Sequence, residues 1–186
     1  SSHEVAQGYK DVKETSAIAK FKVADQENTY FLAWTTTPWT LPSNVILSVN
    51  AKETYAKAKY EDYYVIMAEA LMESVLGEGN YEVVERMKGA ELEYVKYEPL
   101  FDFQPNGEDF KGYFMTCDDY VTLTDGTGIV HTAYAYGEDD YRVCKKYGVT
   151  FYQNVDTTGH LNELAGPFKG LFVKDADPVV LKYMEE

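Results

Sequence analysis

The stretch TYAKAKYEDYYVIMAEALMESVLG at residues 54–77 contains two strand patterns followed by a helix pattern. TYAKAKY (54–60) and YYVIMA (63–68) are short and rich in Tyr and Val, residues that favour β-strands. In AEALMESVL (68–76) the apolar residues recur at the spacing of one helix face, and Gly77 follows as a stop signal. This order predicts a short helix that covers a sheet.

More strand patterns lie on both sides of this stretch. AIAKFKV at residues 17–23 alternates apolar residues with lysines, which indicates a strand with one wet face. Further short strands are predicted at residues 30–36, 45–49, 81–85, 94–97, 112–116, 120–123 and 128–133. The predicted fold class is therefore α+β and β-rich, with barrel-like antiparallel or mixed sheets and a few covering helices.

A second helix is predicted over GEDDYRVCKKYG at residues 137–148. Three acidic residues open it, two lysines close it and Gly148 follows, so both ends suit the helix dipole. A weaker helix is predicted at residues 178–186. We find no repeat and no linker, which predicts a single domain over residues 1–186; its abrupt polar ends indicate a piece excised from a longer polypeptide.

Composition excludes several classes of protein. The 186 residues are 45% hydrophobic and 15% aromatic, enough for the core of one ordinary domain. Seventeen Lys and Arg against 31 Asp and Glu give a net charge of −14, which disfavours a general nucleic-acid binder. Cys117 and Cys144 form neither a disulfide framework nor a CxxC site, which fits a reducing, cytoplasmic location. No apolar run approaches the roughly 20 residues of a membrane span, so no membrane association is expected.

Common catalytic motifs are absent from the sequence. The three histidines, His3, His131 and His160, form no HExxH motif, so no metal site is predicted. The sequence also lacks the GxxxxGK[ST] phosphate loop, the GxGxxG turn and the GxSxG nucleophile elbow.

AWTTTPWTLPSN at residues 33–44 is the first unusual stretch. Three consecutive threonines end a strand, and two prolines then force the chain out of the sheet. Thr35 and Thr37 would point to one face and Thr36 to the other, so a ligand could meet two hydroxyls while the third serves the backbone. The alternative is that threonine simply favours strands.

Both tryptophans of the chain, Trp34 and Trp39, flank the threonines. Tryptophans are more often part of a core than platforms for a ligand, and both interpretations stay open.

DGTGIVHTAYAYGEDDY at residues 125–141 is the second unusual stretch. A turn leads into a strand that carries His131, and a loop then leads to a helix whose first turn holds Asp139 and Asp140. This order places an imidazole and a carboxylate at one edge of a sheet. The alternatives are a half-buried histidine bonded to backbone, and aspartates that only stabilise the helix start.

Three motifs together, TTTPWTLPSN (35–44), GTGIVH (126–131) and GEDDY (137–141), resemble the editing domain inserted in isoleucyl-tRNA synthetases. The related valyl and leucyl domains usually carry an arginine where this chain has Thr37. That difference points to the isoleucine family.

The resemblance extends over nearly the whole chain. KGAELEYVKYEPLF (88–101) and GLFVKDAD (170–177) are similar to connecting segments of the same domain. One position departs from the pattern, since Tyr134 stands where the family commonly has a proline.

The resemblance implies hydrolysis of the ester that joins a wrong amino acid, chiefly valine, to the terminal adenosine of the isoleucine tRNA. The implied partners are the acceptor end of that tRNA, charged with valine, and the remainder of the synthetase chain, with the domain itself a monomer. No cofactor is expected in this domain, because ATP and Mg would belong to the synthetase body, whose HIGH- and KMSKS-like motifs are missing here.

The resemblance also implies roles for particular residues. Asp140 would bind the α-ammonium of the substrate, His131 would line the side-chain pocket and set its size, and Asp139 would be structural. No general base is assigned, since a neighbouring substrate hydroxyl or an ordered water suffices. The implied catalytic residues are Thr35, Thr36, Thr37 and Asp140, and the implied substrate-binding residues are His131, Trp34, Trp39 and Asn44.

Two other classes of function remain at this point. The chain could be a non-catalytic insertion that contacts tRNA or stabilises a larger enzyme, in which case its Thr, His and Asp residues serve packing. It could instead be a freestanding hydrolase of small aminoacyl esters.

Overall fold

A computed structural model describes residues 17–101, 104, 109–124, 126–134 and 137–150, with the backbone alone at Pro38 and Trp39. The strands of this part are β1 (Ala17–Lys22), β2 (Thr29–Thr35), β3 (Asn44–Val49), β4 (Thr54–Tyr60), β5 (Tyr63–Ala68), β6 (Tyr81–Lys88), β7 (Met115–Cys117) and β8 (Val130–Ala133). Its α-helices are α1 (Met72–Leu76) and α2 (Glu138–Lys146), and its 3₁₀ helices are Pro38–Ser43, Glu69–Leu71 and Gly89–Leu92. The segments predicted at residues 170–177 and 178–186 lie outside the described residues.

Strand β2 is the branch point of the sheet. Antiparallel β1 pairs along β2, while parallel β5 pairs with residues 29–31 of β2 and parallel β8 meets it at Trp34. The strand order is β6-β4-β5-β2-β8-β3-β7, with β1 added at β2. Because β2 pairs with β5 at its start and with β8 near its end, the sheet curls into a mixed half-barrel. The predicted β-rich, barrel-like class is confirmed.

Both α-helices cover the outside of the sheet. In α1, Met72 and Leu76 pack against apolar residues of β2, β4 and β5, among them Leu32 and Met67. In α2, Val143 and Cys144 belong to a cluster that includes Ile46 of β3. A larger core cluster joins the first five strands and β7; it includes Phe21, Phe31, Leu47, Tyr55, Ile66 and Met115. The predicted covering role of the first helix is confirmed.

The first helix is shorter than its apolar pattern predicts. Ala68 belongs to β5, where its backbone N–H donates to the Thr127 carbonyl at 2.9 Å. A 3₁₀ turn follows, and only Met72–Leu76 is α-helical, ending before Gly77 at φ +93°. A hydrogen bond to the turn before β8 therefore keeps Ala68 in the strand and delays the start of the helix.

Two predicted strands do not form, and a third is shifted. Residues 94–97 make only isolated bridges, at Lys96 and Tyr97, because Tyr94 has a positive φ of 68° that breaks the extended backbone. Residues 120–123 follow a turn in which the Tyr120 N–H donates to the Asp118 carboxylate at 3.1 Å. The strand predicted at 112–116 is β7, displaced toward its C-terminal side.

The turn before β8 requires its glycines. Gly126 and Gly128 have φ values of +75° and +78°. A Cβ on Gly128 would lie 2.5 Å from the Ala68 Cβ, and one on Gly126 would lie 2.7 Å from the Trp34 side chain. Without these Cβ atoms, the backbone of the turn can pass close to β2 and β5. Strand β8, which carries His131, then lies between β2 and β3.

Candidate functional site

The threonines at the end of β2 divide between the interior and the surface. Thr35 is buried, while Thr36 and Thr37 are exposed. The Thr37 N–H donates to Thr35 Oγ1 at 3.0 Å, and the two Oγ1 atoms lie 3.3 Å apart. Thr35 and Thr37 therefore share a face, as predicted. Within the described part of the chain, the Thr36 hydroxyl has no hydrogen-bond partner.

The chain leaves β2 through the 3₁₀ helix Pro38–Ser43, which places Thr40 directly beneath Thr37. The Thr40 N–H and the Thr40 hydroxyl both donate to the Thr37 carbonyl, at 2.9 and 2.7 Å. Thr40 Oγ1 also lies 3.2 Å from Thr37 Oγ1. Sequence reasoning missed Thr40, although a proline that opens a helical turn brings residues three apart together.

His131 is held from both sides. Its Nε2 lies 2.7 Å from Thr40 Oγ1, and its Nδ1 lies 2.8 Å from Asn44 Nδ2. The ring is buried, with 6% of the residue exposed. The imidazole of His131 on β8 thus contacts two other parts of the fold. These are the 3₁₀ turn that follows the threonines of β2 and the first residue of β3.

The orientation of the Asn44 amide assigns the imidazole tautomer. The Asn44 NH₂ donates to the Ile46 carbonyl at 2.9 Å, and the buried Tyr97 hydroxyl donates to Asn44 Oδ1. Because the NH₂ group is the one that faces His131, Nδ1 accepts and the proton resides on Nε2, which donates to Thr40. Sequence reasoning missed Tyr97, for which no local signal exists.

Burial keeps this imidazole neutral. Desolvation lowers the pKa of His131 to about 3, although a hydrogen bond to Thr40 opposes the shift. Both ring nitrogens are occupied by protein partners. His131 is therefore a rigidly held, neutral side chain and a poor acceptor for a proton from water.

Asp140 is a partly buried carboxylate in the first turn of α2. Its Oδ2 accepts the Ala133 N–H at 3.2 Å, two residues beyond His131 on β8. Burial, reinforced by the neighbouring Asp139, raises the pKa of Asp140 to about 6. Among the residues that the structure describes, no cation forms an ion pair with Asp140. Such a carboxylate is suited to receive a cationic group from a ligand.

Asp139 has different surroundings from its neighbour. It is exposed and lies 3.2 Å from Arg142, which in turn makes two 2.8 Å hydrogen bonds to Asp118. The Arg142 guanidinium lowers the pKa of the Asp118 carboxyl. These contacts fasten α2 to the end of β7, and Asp139 belongs to that surface network.

Of the two tryptophans, the structure describes the side chain of Trp34 alone. Trp34 is half-buried on β2 and packs against the turn at Gly126. Trp39 lies in the 3₁₀ helix, and its side chain is outside the described part. Tyr134, the departure from the family pattern, is buried, and its hydroxyl donates to the Val149 carbonyl at 2.5 Å, which ties the end of β8 to the segment after α2.

A cavity of about 640 Å³ lies elsewhere, at the Asp118–Arg142 pair, and none of the candidate site residues lines it. Within the described ranges, no group of three or more His, Cys, Asp or Glu side chains is placed to hold a metal ion. No helix of the described part is long and apolar enough to cross a membrane.

Comparison of the sequence with known proteins finds relatives over the full chain. No protein-family model matches. Isoleucine–tRNA ligase from Clostridium novyi (strain NT) is 54% identical over 186 residues, all of this chain, and that from Bacillus thuringiensis (strain Al Hakam) is 50% identical over 184 residues, 99% of it. The chain spans only 18% and 17% of the length of these two relatives.

Solved structures share the fold. The crystal structure of GlLeuRS-CP1 superposes with a TM-score of 0.72 at 14% identity, covering 91% of this chain and 95% of that one. The P. knowlesi cytosolic leucyl-tRNA synthetase editing domain gives a TM-score of 0.64 at 14% identity, covering 91% and 92%. The fold is thus that of a synthetase editing domain. In sequence the chain matches one segment of isoleucine–tRNA ligases.

Proposed function

We propose that this chain hydrolyses the ester between a wrong amino acid, chiefly valine, and the terminal adenosine of the isoleucine tRNA. Water adds to the ester carbonyl, the bond to the ribose oxygen breaks, and the products are free amino acid and uncharged tRNA. One observation carries the proposal. The neutral imidazole of His131 is bonded to the threonine turn, and the nearby Asp140 carboxylate forms no ion pair within the described residues.

Asp140 is the anchor for the substrate in this proposal. An aminoacyl ester carries an α-ammonium, and a carboxylate with no cation of its own in the described part of the chain is suited to bind it. Asp139 is a weaker candidate because Arg142 already engages it.

His131 lines the pocket for the amino-acid side chain of the substrate and limits the size of side chain that fits. One methylene in an apolar pocket contributes about 1–3 kcal/mol of binding free energy. This small difference limits how well a synthetic site can reject valine, and the selection of isoleucine over valine is itself the standard example. A second, smaller site that excludes isoleucine by size overcomes this limit. A ring held at both nitrogens cannot move aside for a larger side chain, which suits such an exclusion.

The threonines hold the reacting ester. Thr36 and Thr37 are exposed at the strand end, and Thr35 lies behind them, so hydroxyls are available for the terminal ribose and the ester oxygens. Positioning and stabilisation of the developing oxyanion are the main requirements for attack on an activated ester. His131 is not assigned as the general base, because burial lowers its pKa to about 3 and both ring nitrogens are bonded.

The acidic chain is compatible with a tRNA partner if only the acceptor end reaches this domain. Stacking and hydrogen bonds can hold one adenosine without a basic surface. The remainder of the synthetase chain would then bind the body of the tRNA.

Three substrates separate this function from the alternatives. The chain, free at high concentration and joined to a synthetase body, is incubated with valine-charged tRNA, isoleucine-charged tRNA and a simple valine ester. Preferential hydrolysis of the valine-charged tRNA is expected. A folded protein that hydrolyses none of the three would be a non-catalytic insertion, and equal action on the simple ester would indicate a small-ester hydrolase.

A further inference from the structure

Tyr97 is the buried end of the hydrogen-bond network that holds the imidazole. It follows Tyr94, whose positive φ turns the chain, and its ring makes edge contacts with Phe21 and Tyr113 at centroid distances of 5.2 and 6.0 Å. Its backbone N–H donates to the Tyr113 carbonyl at 2.9 Å. The ring position is thus fixed independently of the polar contact that its hydroxyl makes.

Three contacts determine which way the Asn44 amide faces. The Tyr97 hydroxyl donates to Oδ1, and Nδ2 donates to the Ile46 carbonyl at 2.9 Å and, more weakly, to the Thr132 carbonyl at 3.5 Å. If the amide turned over, its oxygen would face the Ile46 carbonyl and its NH₂ would face the tyrosine. The Ile46 carbonyl opposes that rotation because it can only accept, and Tyr97 opposes it because its hydroxyl hydrogen would lose Oδ1 as an acceptor.

The amide orientation in turn determines the protonation pattern at the site. With NH₂ toward Nδ1, the imidazole proton resides on Nε2 and is donated to Thr40 Oγ1. The Thr40 hydroxyl hydrogen is then free for the Thr37 carbonyl. With the proton on Nδ1 instead, two donors would face each other at Asn44, and the Thr40 hydrogen would turn toward Nε2.

We propose that Tyr97 is a positioning residue that fixes His131 as the Nε2–H tautomer through Asn44 and thereby sets the hydroxyl directions of Thr40 and Thr37. The effect on the tautomer stands on geometry alone. The effect on catalysis rests on the proposed function, because it requires that Thr37 contacts the substrate.

The test compares Tyr97→Phe with Tyr147→Phe. Tyr147 is also a buried tyrosine whose hydroxyl is bonded, to Glu93 at 2.6 Å and to the Cys117 backbone. Within the described residues, this hydroxyl makes no hydrogen bond to His131, Asn44 or Thr40. Nitrogen-15 NMR of the histidine rings of the full chain reports the tautomer, with the His131 signals assigned by their loss in His131→Gln. The wild type and Tyr147→Phe are expected to show a neutral ring protonated on Nε2. Tyr97→Phe is expected to add a measurable Nδ1–H fraction, because backbone carbonyls alone then orient the Asn44 amide.

Kinetics provide the second readout. In Tyr97→Phe, kcat for valine-charged tRNA should fall about tenfold with KM unchanged, the loss expected when one buried hydrogen bond stops orienting a reacting group. Tyr147→Phe should retain the wild-type kcat.

Specific outcomes would overturn the inference. A pure Nε2–H ring in folded Tyr97→Phe would show that the hydroxyl does not set the tautomer. An Nδ1–H ring in the wild type would do the same even if the variant did not fold. Absence of any aminoacyl-tRNA hydrolysis by the wild type would instead refute the proposed function and leave the tautomer result standing.

Discussion

Nε2 of His131 lies 2.7 Å from Oγ1 of Thr40, although the two residues are 91 positions apart in the sequence. This hydrogen bond joins strand β8 to the turn that follows the threonines of β2. The threonine motif and the histidine motif are therefore parts of one site, and a change in either is transmitted to the other through a buried contact.

His131→Ala should let isoleucine enter the site, because removal of the imidazole makes room for the methylene that the ring excludes. Hydrolysis of isoleucine-charged tRNA should rise while much of the activity on valine-charged tRNA is retained. The measurement is deacylation of both charged tRNAs together with a thermal melt. Loss of the two buried hydrogen bonds should cost about 1–3 kcal/mol of stability.

Other roles for His131 give different results. A general base would lose both activities in parallel at unchanged stability. A histidine that serves packing alone would lose stability with an unchanged valine-to-isoleucine ratio.

Hydrolysis should depend on the ionisation of Asp140. Because the pKa of this carboxyl is raised to about 6, kcat/KM for valine-charged tRNA should fall as the pH drops below about 6, where the free protein loses the charge that binds an ammonium. Asp140→Asn should reduce the rate by about one to two decades, equivalent to a charge-assisted contact of about 1.5–3 kcal/mol. It should also remove the fall in kcat/KM at low pH, which is the acid limb of the pH profile.

Asp139→Asn is the matched control. It changes the adjacent carboxylate, which is exposed and bonded to Arg142, and it should leave both the rate and the acid limb in place. If Asp139→Asn removed the activity and Asp140→Asn did not, the assignment of the ammonium anchor would be reversed.

Asp140→Asn should also stabilise the fold near neutral pH. The folded-state pKa of about 6 lies above that of an ordinary aspartate, so the folded state favours the protonated form. The stabilising contribution of the protonated carboxyl is fully present below the unfolded pKa and is lost as the pH rises through about 6. The neutral amide should therefore add about 1–2 kcal/mol at pH 8, after allowance for partial exposure, and nothing at pH 3. Urea unfolding at both pH values measures this difference, and an equal gain at both would contradict it.

Gly128→Ala should destabilise the fold more than Gly79→Ala. Both glycines have nearly the same positive φ, +78° and +79°, so both substitutions carry the same backbone penalty of about 1–2 kcal/mol. A Cβ at Gly79 meets no atom within 4 Å, whereas one at Gly128 would lie 2.5 Å from the Ala68 Cβ. The additional loss at Gly128 should be about 1–3 kcal/mol. Equal losses in urea unfolding would show that the turn before β8 can shift away from Ala68 without cost.

Local patterns in the sequence were sufficient for much of the fold. β4 and β5 have the predicted bounds, because both runs are rich in residues that favour strands and the polar pair Glu61 and Asp62 separates them. The acidic and basic ends of α2 likewise identified that helix. The strand predicted at 94–97 failed because Tyr94 adopts a positive φ, which a tyrosine side chain does not signal.

The candidate site was only partly readable from the sequence. The motifs identified the threonines, His131 and Asn44, but their contacts depend on the pairing of β8 with β2 and β3, which local patterns do not encode. Tyr97 reaches Asn44 from a segment that carries no polar pattern of its own. The difference between Asp139 and Asp140 likewise comes from burial and from Arg142, which only the folded chain reveals.

The most direct test of the central claim is a competition in one reaction. Isoleucine tRNA charged with valine and the same tRNA charged with isoleucine, each amino acid carrying a different radioisotope, are mixed with the chain joined to a synthetase body, and release of both labels is followed. The account predicts that valine is released and isoleucine is spared. Equal release of the two labels by a protein shown to be folded would contradict it.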